Sequence, residues 1–135
     1  MIYLLDTNTC VEYLRQRNAL VVARIAVTPP SDLRLCSVVK AELYHGAHRS
    51  QQVQRNLEKV ENFLRPFLSL PFDDDAAREY GQIRADLERR GLVIGPNDLQ
   101  IASIALVHGL TLVTHNVREF RNVGGLNVED WQGAL

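Results

Sequence analysis

The chain has 135 residues, 46% of them hydrophobic and 23% charged, an ordinary globular composition at the length of one domain. That excludes a disordered, collagenous or low-complexity protein. Fifteen Lys and Arg against sixteen Asp and Glu leave a formal net charge of −1, so the chain is no generic polyanion binder, and any nucleic acid must be met by a local patch or a bound cation.

Ile2-Tyr3-Leu4-Leu5 is a short apolar run, as expected of a strand buried on both faces of a parallel sheet. Helical patterns follow over about 9–15 and 20–27, then a Pro-rich loop and a second strand over 33–36. Ser37 is placed to cap a helix over 38–48, and Ser50 to open a longer one over 51–68. Ser69-Leu70-Pro71-Phe72 reads as a short extended piece. Asp73-Asp74-Asp75 precede a helix that closes on Arg89-Arg90 and Gly91. Pro96 starts another, ended by Gly109. A strand over 110–114, one helical turn over 117–120 and a strand over 126–128 complete the chain. Strands alternating with helices predict an α/β fold, a single domain over 1–135 with a central, mainly parallel sheet between helical layers.

Cys10 and Cys36 form no CxxC pair and read as reduced, buried thiols of a cytosolic protein. No basic segment precedes the first apolar run, so no signal peptide is expected. The long uncharged stretch 99–117 is broken by His108, Gly109 and several polar residues, which does not suit a membrane span. A soluble, cytoplasmic protein is expected.

Three acids break the pattern. Asp6 follows the first buried strand directly, and ligands of open α/β sheets bind beyond the carboxyl ends of the strands; it could equally be a cap for the next helix. Glu42 lies one turn after Val38 and Val39, on the core side of its helix; a solvated surface Glu is the competing reading. Asp98 stands over the stripe Ile101/Ala102/Ala105 in the first turn of a helix apolar almost all round, which a plain N-terminal helix acid does not explain. If the three converge, two charges ~4 Å apart at an effective dielectric of ~20 repel by about 4 kcal/mol. Such a cluster needs a proton or a cation. Hard oxygen ligands with no Cys or His among them suit Mg²⁺, or Mn²⁺.

At these residues the chain resembles the PIN-domain ribonucleases, and within them the VapC-type toxins of bacterial toxin–antitoxin pairs. Leu4-Leu5-Asp6-Thr7-Asn8 is similar to the family's first acidic block, Ser37–Gly46 to the second and Ile94–Ala102 to the third. Leu112–Phe120, followed by Val123–Trp131, is similar to the fourth block and the family's ending. The resemblance implies a PIN-like α/β/α sandwich with Asp6, Glu42 and Asp98 as metal-site carboxylates. It implies a Mg²⁺-dependent endoribonuclease, with Mn²⁺ as a substitute, in which water attack leaves a 5′-phosphate and a 3′-hydroxyl. It also implies a homodimer, silenced by a VapB-type antitoxin that crosses the toxin groove.

The fourth block departs from the pattern. Many members place an Asp two residues after Thr114, where this chain has Asn116. Glu119, one helical turn on, could supply the missing charge, and Thr114 could hydrogen-bond an Asp. Asn8, Arg15, Arg17, Arg118 and Arg121 are the expected RNA contacts, since thirteen of the fifteen basic residues are Arg, which pairs phosphate in a bidentate manner. Two other readings stay open: a nuclease of the same family acting on DNA flaps, and a catalytically weakened scaffold that binds RNA. A histidine nuclease built on His45, His48, His108 and His115 has only His45 and His48 on one helix face and no fixed partner for them.

Overall fold

A computed structural model describes residues 1–133; residues 134 and 135 of the expected domain lie outside the described residues. The strands are β1 (Tyr3–Leu5), β2 (Leu33–Cys36), β3 (Leu68–Leu70), β4 (Thr111–Val113) and β5 (Asn127–Glu129). The helices are α1 (Thr7–Leu14), α2 (Ala19–Val27), α3 (Ser37–His48), α4 (Val53–Leu64), α5 (Asp74–Arg89), α6 (Pro96–Val107) and the single turn α7 (Val117–Phe120). The five strands form one sheet in the order β3-β2-β1-β4-β5. All four pairings are parallel, and parallel neighbours need crossovers, which the helices supply.

Burial follows this order. Leu4 and Leu5 of β1 and Leu112 and Val113 of β4, two of the three inner strands, are fully buried, the continuous apolar signature of strands covered on both faces. The edge strands carry the exposed Leu68 and Asn127. Tyr13, Phe63 and Phe67 stack in sequence, with centroids 5.1 and 5.3 Å apart, and join α1 to α4. After β5, Arg24 lies 4.6 Å above the Trp131 ring and 3.6 Å from Glu129, while Trp131 donates its indole N–H to Glu129. That cluster ties the end of the chain to α2. No helix among the described residues is long and apolar enough to cross a membrane.

The elements match the expected order, with local corrections. The sheet is wholly rather than mainly parallel. The first helix starts at Thr7, because Asp6 already caps it by accepting from the Thr9 amide. Ser37 is no cap: the helix begins on it, and its hydroxyl accepts the Phe72 amide at 3.3 Å. Ser50 does not open a helix either, since its hydroxyl donates to the Ala47 carbonyl and accepts from Asn56. α4 begins at Val53 and stops at Leu64; Arg65 still takes helical angles and donates to the Glu61 carbonyl, but Pro66 has no N–H to continue the ladder. The residues freed from that helix start β3, which ends before Pro71, a residue unable to donate to a ladder. Gly91 and Gly109 take positive φ of 71° and 63° where α5 and α6 end, the left-handed geometry that favours glycine.

Leu112 fills the middle of β4 with no exposure. Leu112→Ala is expected to cost about 2–5 kcal/mol of unfolding free energy, measured by urea titration.

Candidate active site

The sheet order creates the site. The chain builds outward from β1 through β2 to β3, then returns to the other side of β1 for β4 and β5. The carboxyl ends of β1 and β4 therefore flank a topological switch point, where α/β sheets open a crevice. Asp6 ends β1 there, with its amide donating to the Val113 carbonyl at 3.1 Å, and Thr114 ends β4 beside it.

Asp6 is 6% exposed. Burial pushes its pKa up, against hydrogen bonds from the Thr114 hydroxyl and from the Thr9 amide, which pull it down; the Glu42 charge adds to the rise. Asp6 is thus both helix cap and buried carboxylate. The Thr114 hydroxyl also accepts the Asn116 amide at 3.0 Å, so one buried hydroxyl links the end of β1 to the loop after β4.

Glu42 reaches the same end of the sheet from the middle of α3. Its Oε1 accepts the Thr7 hydroxyl at 2.7 Å across 35 residues. Asp98, third residue of α6, faces this space half-buried. Its pKa is pushed up to about 6, first by burial, then by the charges of Asp6, Glu119 and Glu42. Three other carboxylates therefore act on Asp98. Among the described residues none of the four has a Lys, Arg or His ion-pair partner. As the side chains stand, no three His, Cys, Asp or Glu residues among those described are close enough to hold an ion. Asp6, Glu42 and Asp98 face one another at Coulombic range, not at the shorter spacing of shared ligands. Their donor set is all oxygen and all anionic, which fits a hard divalent cation.

The other expected residues surround this centre. Asn116 donates its side-chain amide to Glu119, so the residue that departs from the family pattern holds the acid one turn away. Arg118 flanks Glu119 on α7, Arg121 follows that turn, and both are exposed. Arg15 lines a groove of about 410 Å³ between α1, α3 and α4, to which Glu42 also contributes. Asn8 is exposed on α1. Arg17, another arginine near the first block, is taken by Glu12 at 3.2 Å.

The four histidines do not form a pair. His108 caps the far end of α6 from Asp98, His115 bonds Asp130 at 3.0 Å, and His45 and His48 lie exposed on α3. Behind Asp6, Cys10 and Cys36 are buried free thiols; burial raises both, Cys36 to about 11, which keeps them protonated. Sequence reasoning missed Thr7 as the group that holds Glu42. The only signal for it was its place directly after Asp6.

The model of the PIN domain family matches residues 3–126. The chain belongs to the PIN-domain family. It is 42% identical over 129 residues to the tRNA(fMet)-specific endonuclease VapC of Shigella flexneri, covering 96% of this chain and 97% of the relative. It is 36% identical over 132 residues to ribonuclease VapC2 of Rickettsia felis, covering 97% and 98%. The crystal structure of DNA-bound VapBC from Salmonella typhimurium superposes with a TM-score of 0.91 at 38% identity, covering 97% of this chain and 98% of that one. At this identity and coverage the chain is a VapC-type PIN domain, the class of proteins the sequence resembled.

Asp98 carries the clearest electrostatic consequence. The native side chain keeps its proton to about pH 6, against 3.8 for an ordinary Asp. Between those values the native state binds more protons than the unfolded one, so stability falls as pH rises through this window. Urea unfolding without divalent cation is expected to show that decline from about pH 4 to about pH 6, and Asp98→Asn is expected to make it shallower and to raise stability at neutral pH. Equal slopes for the two proteins contradict the assignment.

Proposed function

We propose that this VapC-type chain, acting as one PIN domain over 1–135, is a divalent-metal-dependent endoribonuclease toxin. The observation that carries the reading is the set of acids acting on Asp98 at the end of the parallel sheet, without an ion-pair partner among the described residues. Asp6, Asp98 and Glu42 would hold the cation, Mg²⁺ first and Mn²⁺ as a substitute, by drawing in from the wider spacing at which they stand without it. When bound, a divalent cation shields the scissile phosphate from the acids and lowers the pKa of water enough to make it a nucleophile at neutral pH.

The remaining steps belong to the chain's own residues. Thr7 occupies Oε1 of Glu42, which leaves Oε2 to orient the attacking water and take its proton. Water adds to phosphorus, the bond to the 3′ oxygen breaks with its electron pair, and that oxygen takes a proton from solvent, giving a 5′-phosphate and a 3′-hydroxyl. Glu119, held by Asn116, supplies the fourth negative charge that Asn116 itself lacks, and Thr114 keeps Asp6 aimed into the site. Asn8, Arg15, Arg118 and Arg121 are the groups we assign to RNA phosphates and sugars.

Transfer RNA is the substrate class to try first, since one relative is named as specific for tRNA(fMet). The partner is a VapB-type antitoxin, as in the VapBC complex that superposes on this chain. A basic residue of such a partner, entering by the groove that Arg15 and Glu42 share, relieves the same repulsion that a cation relieves. We also infer a homodimer that acts in the cytoplasm, where two free buried thiols stay reduced.

Purified protein is expected to cleave RNA with Mg²⁺ or Mn²⁺, to stop in EDTA and to leave 5′-phosphate ends. Asp6→Asn and Asp98→Asn are expected to lower the rate at least about 100-fold while remaining folded. Wild-type rates from Asp98→Asn, or cleavage that survives EDTA, contradict the mechanism.

A further inference from the structure

A second concavity of about 440 Å³ opens beside the carboxylates. α3 lines one wall with Ser37, Glu42 and His45, the first turns of α6 contribute Asn97 and Gln100, and Phe72 from the segment after β3 closes one end. Glu42 belongs both to this groove and to the acidic centre, so the groove begins where the reacting phosphate is held. Asp98 lies between Asn97 and Gln100 in sequence. The same turn of α6 thus gives an acid to the site and two amides to the groove. Phe72 is fixed in place: its amide donates to the Ser37 hydroxyl, and its ring meets Tyr80 edge-on with centroids 5.9 Å apart.

The lining chemistry selects the occupant. The groove has an aromatic ring, an imidazole and two primary amides, with one carboxylate and no Lys or Arg among its lining residues. A phosphate there meets the Glu42 charge with no cation to offset it. A nucleobase is planar and uncharged and carries donors and acceptors on its edge. Asn and Gln amides place a donor and an acceptor side by side to match such an edge, and aromatic rings stack on unpaired bases. Among the described residues neither amide is used in a side-chain hydrogen bond of the protein itself.

We propose that this groove is a base-recognition subsite, which takes one unstacked base of single-stranded RNA next to the bond being cut, packs it on Phe72 and reads its edge with Asn97 and Gln100. The proposal rests on the ribonuclease reading above and deepens it into a source of sequence preference.

The test is cleavage of a pool of single-stranded RNA oligonucleotides of randomised sequence, with the new ends mapped by sequencing. Wild type is expected to prefer one base at a position adjacent to the cut. Asn97→Ala combined with Gln100→Ala is expected to weaken that preference about tenfold and to leave preferences at other positions unchanged. Phe72→Leu is expected to raise KM for every base at that position, with Phe72→Tyr restoring it. Melting temperatures equal to wild type show that these exposed or half-buried positions leave the fold intact. An unchanged profile in the double variant overturns the subsite, as does an equal fall at all positions. An unchanged profile with lost repression by the antitoxin assigns the groove to the antitoxin instead. Failure of wild type to cut any RNA with Mg²⁺ or Mn²⁺ is a different result, and removes the ribonuclease reading together with the subsite.

Discussion

The structure is organised around the cost of holding a carboxylate out of water at the end of its central strand. Asp6 is nearly inaccessible to solvent, and its ordinary acidity is partly lost to burial. The fold answers with short-range donors: the Thr9 amide at 2.8 Å and the Thr114 hydroxyl. Among the described residues no Lys or Arg pairs with Asp6. A site meant only to stabilise the fold gains most by neutralising such a group or replacing it with an apolar one. Leaving the charge in place, with further acids facing it, makes sense when something from outside completes the balance.

The neighbouring elements converge on that need. The first turns of α1 and α6 both open at this end of the sheet, and the partial positive charge of a helix N-terminus favours nearby carboxylates. Asp6 caps the first and Asp98 lies in the opening turn of the second. Glu42 arrives from mid-helix, where no cap helps it, and takes its donor from Thr7 instead. Each acid thus has its own local support, and together they leave a net negative space. The adjoining groove of Phe72, Asn97 and Gln100 differs in character, with apolar and neutral polar groups around a single carboxylate. With a cation among the acids, a polymer of charged phosphates and neutral bases matches that alternation.

Much of this was legible in the residues because the acids stand out against an apolar background. Asp6 after a buried strand and Asp98 above a buried stripe each violate the surrounding pattern, and such violations mark sites. The parallel sheet was legible too, since β1 reads as an unbroken apolar run and the strands alternate with helices. Long-range pairings were not. The Thr7–Glu42 bond joins residues 35 apart, and the His115–Asp130 bond spans 15; neither leaves a local trace. Serine misled twice, because a hydroxyl before a helix can cap it or bond elsewhere, as Ser37 and Ser50 do. Pro66 was the readable signal that α4 ends early, and the apolar residues beyond it hid it. Asn116 looked like a lost ligand, yet it holds Glu119, a relation that depends on the α7 turn.

The central claim is that these acids repel one another and that a divalent cation relieves the repulsion. Carbon-13 NMR titration of the aspartate carboxyl carbons, with and without Mg²⁺, tests it directly. The account predicts that Asp98 titrates near 6 without the ion and moves well down when Mg²⁺ is added. An Asp98 that titrates near 3.8 and ignores Mg²⁺ contradicts it.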